Sequence, residues 1–83
     1  GPRPFREMNG SDRVRACYQH CVLQYVLRKQ MTNQSLRERF GLSEGSSNTV
    51  SQIITATMEQ RLVKNDPNAP DSRRYARYIP IWA

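Results

Sequence analysis

The chain has 83 residues, 37 % of them hydrophobic, with a net charge of +6 and a pI near 10.0. A chain this short holds one core and buries only about 60–65 % of its unfolded surface, which leaves little apolar area for a deep substrate cleft. The basic balance favours nucleic acid, an anionic surface or an acidic partner. No apolar run approaches the ~20 residues that span a bilayer, and Gly1–Arg6 lacks the apolar stretch of a signal peptide, so the expected compartment is the cytoplasm, with no membrane partner.

Residues 1–10 hold two prolines, two glycines and Asn9 without periodicity, which predicts an irregular arm followed by one domain over 11–83. Ser11 is a good N-cap with Asp12 in the first turn. Val14, Cys17, Tyr18, Cys21, Val22 and Tyr25 then follow at helical spacing, which predicts a first helix from about Asp12 to Lys29. Arg28 and Lys29 suit the carbonyl end of its dipole. Thr32 caps a second helix, Asn33 to Phe40, with Leu36 and Phe40 as its inward pair and Gly41 at the left-handed position beyond it.

Ser43–Ser46 reads as a turn by composition. Ser46 or Ser47 then caps a third helix to about Gln60, with Val50, Ile53, Ile54, Thr57 and Met58 inward. Leu62–Lys64 reads as a strand, 65–72 as a loop, and Tyr75 to Ile79 as a second strand that Pro80 ends. The apolar ending Ile81-Trp82-Ala83 is expected to fold back on the core with Trp82 buried.

Helix, helix, glycine-containing turn, helix and hairpin is the order of a winged helix-turn-helix, an α+β fold that is mainly α, with three helices and a two-stranded wing. A three-helix bundle with a loose tail would leave Tyr75, Tyr78, Ile79, Ile81 and Trp82 unpacked, too much apolar surface for so short a chain.

Candidate chemistry is sparse. Cys17 and Cys21 share a helix face four residues apart, where Cβ atoms lie about 5–6 Å from each other against the 3.5–4.5 Å of an unstrained disulfide, so a reduced pair is expected. His20 is rotated off that face and no fourth strong ligand is near, so no metal site, cofactor or catalytic residue is expected. His20 has no nucleophile or carboxylate on its own helix face, and no carboxylate pair is spaced for acid–base work.

The outward face of the third helix is more informative. Ser47, Asn48, Ser51, Gln52 and Thr55 are neutral and hydrogen-bond capable, the residue types that meet base edges in a major groove. Residues 31–60 carry Arg37 and Arg39 against Glu38, Glu44 and Glu59, whereas 61–83 are net positive. Phosphate contacts are therefore expected from the wing, at Arg73, Arg74 and Arg77, with the third helix supplying the reading. Double-stranded DNA is the expected partner. The alternative is a winged helix used for protein contact or dimerisation, and the oligomeric state stays open.

Three stretches resemble one family: Arg13-Val-Arg-Ala-Cys-Tyr-Gln-His20, Met31-Thr-Asn-Gln-Ser-Leu-Arg-Glu-Arg-Phe-Gly-Leu42 and Arg77-Tyr-Ile-Pro-Ile-Trp-Ala83. Together they resemble the C-terminal winged-helix domain of bacterial RecG-helicase-related proteins, also described as transcriptional regulators with a Schlafen AlbA-like N-terminal domain. The resemblance implies a module that follows a larger N-terminal region with a divergent ATPase-like part, and so the rest of a parent protein as a further partner. It covers no catalytic motif. There is no phosphate-binding loop, because none of the four glycines precedes a lysine.

Overall fold

The computed structural model describes residues 5–69 and 76–83. Its elements are α1 (Gly10–Val26), α2 (Asn33–Phe40), α3 (Ser47–Glu59), β1 (Val63–Asn65) and β2 (Tyr78–Pro80). The fold is a winged helix-turn-helix: three helices and an antiparallel two-stranded sheet with Val63 opposite Pro80, Lys64 opposite Ile79 and Asn65 opposite Tyr78. β1 lies one residue later than Leu62–Lys64, and Pro80 is the last residue of β2 rather than the one beyond it, at a strand end where its missing N–H is not needed; Tyr75 of the expected second strand lies outside the described residues.

Every boundary of the three helices except the start of α3 is closed by capping hydrogen bonds. Asn9, not Ser11, caps α1, its Oδ1 accepting from the Asp12 N–H at 2.8 Å, so the helix begins two residues earlier than Asp12. It also ends earlier. Arg28 turns left-handed (φ 62°), and the N–H groups of Arg28 and Lys29 close back on the carbonyls of Tyr25 and Gln24. Arg28 and Lys29 therefore lie beyond the last turn rather than in it. Thr32 and Ser35 form a reciprocal capping box at the start of α2, and Gly41 ends that helix at φ 70°, as its position suggested. The Ser43–Ser46 turn contains a 3-10 turn over Glu44–Ser46 that leads straight into α3, so the expected serine cap is not made: Ser46 precedes the helix without a side-chain capping bond and Ser47 is already its first residue.

The core is one cluster. Cys17 and Cys21 of α1, Leu36 of α2, Val50, Ile53 and Ile54 of α3, Val63 of β1 and Met31 pack together. Thr57 is fully buried among them, and its hydroxyl donates to the Ile53 carbonyl at 2.8 Å. Met58 is only half-buried at the rim. Met31 also joins the sheet: it exchanges both backbone hydrogen bonds with Tyr78, at 3.0 and 2.8 Å. The linker between α1 and α2 thus adds a one-residue third strand, which residue patterns alone left as a break.

Two further expectations fail. The arm is not wholly irregular, because Phe5–Glu7 forms a 3-10 turn. Phe5 meets Phe40 at 4.8 Å with the rings tilted by 57°, and the Arg13 guanidinium lies over the Phe5 ring at 4.0 Å. Trp82 is not buried: it is 57 % exposed, and Tyr25 is exposed too. Val63 and its partner Pro80 are buried together with Met31, and the chain leaves the core in the turn after Pro80. There the Trp82 ring meets Tyr25 edge-on at 5.5 Å, and its indole N–H donates to the Tyr18 hydroxyl at 2.9 Å.

Candidate nucleic-acid interface

The start of α2, the start of α3 and the base of the wing converge on a polar cleft. Asn33, Arg37, Ser47, Ser51, Arg77 and Tyr78 are among the side chains that line it. Asn33 organises it. Its Nδ2 donates to the Ser47 carbonyl at 3.0 Å and to Ser51 Oγ at 2.9 Å, while its Oδ1 accepts from Arg37 Nε at 2.8 Å. One amide therefore sets how α2 crosses α3, holds the Ser51 hydroxyl and aims the Arg37 guanidinium. Across the cleft Arg77 is exposed beside β2, with Nη1 3.5 Å from Gln30 Oε1. Glu44 also lines the cleft, so among the described residues Arg37 and Arg77 leave it positive by one charge.

Of the residues expected to meet DNA, Ser47, Ser51 and Arg77 come together in this cleft. Asn48, Gln52 and Thr55 are exposed on the adjoining face of α3. Arg73 and Arg74 lie outside the described residues. Asn33 and Arg37 were missed, although their i,i+4 spacing at the head of α2 was readable. What was not readable is that α2 crosses α3 with those two residues against Ser47 and Ser51.

The cysteines and His20 sit apart from this cleft. Cys17 and Cys21 are free thiols, fully buried, and Cys17 Sγ touches Met31 Sδ at 3.9 Å. Burial pushes the Cys17 thiol up to about 11 and the Cys21 thiol up to about 12, so neither supplies a thiolate near neutral pH. Among the described residues no three of His, Cys, Asp and Glu come together to hold a metal ion.

The fold does give His20 a hydroxyl partner that its own helix lacks: Nε2 lies 3.0 Å from Ser35 Oγ. That hydroxyl is already committed to the α2 cap. It accepts from the Thr32 N–H at 2.9 Å and donates to the Thr32 carbonyl at 3.0 Å. His20 thus reaches the hydroxyl that closes the α2 cap and braces it.

No model of a known protein family matches the chain, and neither does any curated protein or solved structure. No helix among the described residues is long and apolar enough to cross a membrane.

Proposed function

We propose that the domain is a duplex-DNA-binding module and carries no catalytic site of its own. In this reading it serves a bacterial RecG-helicase-related protein or transcriptional regulator, the family its sequence resembles, and works in the cytoplasm beside the rest of that protein. The observation that carries the DNA reading is the polar cleft, where Arg37 and Arg77 flank the start of an exposed, uncharged helix face. The face of α3 enters the major groove, with Asn48, Ser51, Gln52 and Thr55 toward base edges. Arg37 and Arg77 take phosphates on either side, and Arg73 and Arg74 extend that contact along the wing. The net charge of +6 brings the domain to the polyanion.

The test is a fluorescence anisotropy titration with duplex DNA below about 50 mM salt. Four arginines on phosphates set a slope of log K against log salt near −3 to −4. Replacing Arg37 and Arg77 together by Ala is expected to weaken binding to all sequences alike and to flatten the slope by about 2, with the melting temperature followed in parallel. Gln52→Ala leaves the slope unchanged and matters only on a preferred site, by about 1–3 kcal/mol. Absence of binding at low salt, or an unchanged slope in the double variant, overturns the reading in favour of a protein-contact role.

A further inference from the structure

Two aromatic rings stand on the surface where α1 meets the turn after β2. Trp82 is 57 % exposed and Tyr25 40 %. The rings meet edge-on at 5.5 Å, with 86° between their planes, so ring faces stay open that a stacked pair would cover. The indole N–H already donates to the Tyr18 hydroxyl at 2.9 Å. What Trp82 leaves open is therefore apolar ring surface, held in place before any partner arrives.

A basic groove adjoins this pair. Tyr25 lines it together with the charged side chains of Arg28, Lys29, Lys64 and Asp66. The left-handed turn at Arg28 keeps that residue beside Tyr25, its N–H donating to the Tyr25 carbonyl at 2.9 Å. Arg28 and Lys29 are exposed. Lys64 Nζ donates to the main-chain oxygen of Ala83 at 2.5 Å, which holds the ammonium next to the residue after Trp82 and leaves two of its three donors. Asp66 is turned to the protein, its two oxygens accepting from Gln30 Nε2 at 3.2 Å and from the Asn68 N–H at 2.9 Å. Among the described side chains of the groove, three cations against one carboxylate leave a net charge of about +2.

Flat ring surface next to cations selects the occupant. A cationic ligand, or a second copy of this groove, is repelled by Arg28 and Lys29. An acidic peptide would satisfy the cations and leave the ring faces without a planar partner. A duplex keeps its base faces inside its own stack, so it offers phosphates but nothing to lie on Trp82. An unpaired strand offers both, and aromatic stacking beside a positive groove is how single strands are held without sequence readout. DNA is the source because the groove adjoins the cleft of the proposed duplex interface. Gln30 joins the two, with Nε2 on Asp66 and Oε1 3.5 Å from Arg77 Nη1. We propose that this surface binds an unpaired DNA strand, with a base stacked on the Trp82–Tyr25 pair and neighbouring phosphates on Arg28, Lys29 and Lys64. The choice of DNA rests on the duplex-binding reading, whereas the stack and the cations do not.

Trp82 is the only tryptophan of the chain, so its emission reads the stack directly. The probe is an oligothymidine of about 12 nucleotides in salt below about 50 mM. An abasic strand of the same length, a blunt duplex, an oligouridine and an oligoglutamate peptide are titrated beside it. Oligothymidine is expected to quench Trp82 saturably, with a slope of log K against log salt near −2 for three cations on a single strand. The abasic strand is expected to bind at least about five-fold more weakly, the factor that one lost base stack implies. By anisotropy of a labelled oligothymidine, Trp82→Leu is expected to lose the same factor with the slope unchanged. Replacing Arg28 and Lys29 together by Ala is expected to flatten the slope by about 1 to 1.5. Circular dichroism checks each fold, and Tyr25→Leu, at an exposed position, serves if Trp82→Leu unfolds. The proposal is overturned by no quenching with oligothymidine, by equal affinity for the abasic strand, or by unchanged affinity in the ring variants. Equal quenching by the duplex or the peptide overturns it too, and tighter binding of oligouridine overturns the choice of DNA and makes an RNA strand the occupant. Duplex binding without quenching by oligothymidine overturns this inference alone, whereas quenching by oligothymidine without duplex binding overturns the duplex reading and leaves the stacking site standing.

Discussion

His20 shows how one side chain can tie the stability of this domain to pH. Burial lowers its pKa below the ordinary 6.5, Arg39 lowers it further and Glu38 opposes that weakly. The folded chain therefore holds His20 neutral at pH values where the unfolded chain protonates it. The unfolded state then binds more protons, so stability rises with pH across that window. The contribution is complete above about 6.5 and is lost as pH falls toward the depressed value. The expected outcome is a melting temperature that falls as pH is lowered from 7.5 to 5.5, and a flatter profile for His20→Gln. Parallel profiles for the two proteins would mean that other groups carry the dependence. Ser35 gives the same residue a structural role, because the His20 bond reaches the hydroxyl that closes the α2 cap.

All three helices end in one way, with the two N–H groups past the helix closing back on carbonyls of its last turn, as Gly41 and Leu42 close on Glu38 and Arg37. Only α2 does so with a glycine. At the ends of α1 and α3 the left-handed residues are Arg28 and Arg61, at φ 62° and 59°. A side chain with a Cβ is strained there by about 1–2 kcal/mol. Arg61→Gly is thus expected to stabilise by about 0.5–1 kcal/mol, since the relief of strain outweighs the extra freedom given to the unfolded chain. Denaturant titration checks this, and a loss of stability would show that the arginine stem packs well enough to offset the strain.

Met31 connects the whole molecule. It is fully buried in the cluster that joins all three helices, touches Cys17, and pairs with Tyr78 in the sheet. A residue shared by helices and wing makes their unfolding one event. Met31→Ala is expected to cost about 2–5 kcal/mol, the range for a buried methionine truncated in a packed core. Because Trp82 follows β2 and rests against α1, its fluorescence and the helical circular dichroism should melt together in both proteins. Separate transitions would mean that the wing unfolds independently of the helices.

Periodicity and capping chemistry made the local structure legible. The bounds of α2, the left-handed Gly41, the inward stripe of α3 and the antiparallel hairpin all follow from short-range rules, since a cap or an i,i+4 face is decided within one turn of chain. So does the outward placement of Asn48, Ser51, Gln52 and Thr55. The early start of α1 was less legible because Asn9 and Ser11 are both good caps, and the structure uses the earlier one. Three things were decided only in three dimensions. Met31 became a strand residue because its partner lies 47 positions away. Asn33 and Arg37 joined the candidate site because α2 crosses α3 at Ser47 and Ser51. Trp82 stayed outside because the turn after β2 sets it against Tyr18 and Tyr25 on the surface of α1, and hydrophobicity alone cannot tell a residue that fills a core from one that lies on its surface.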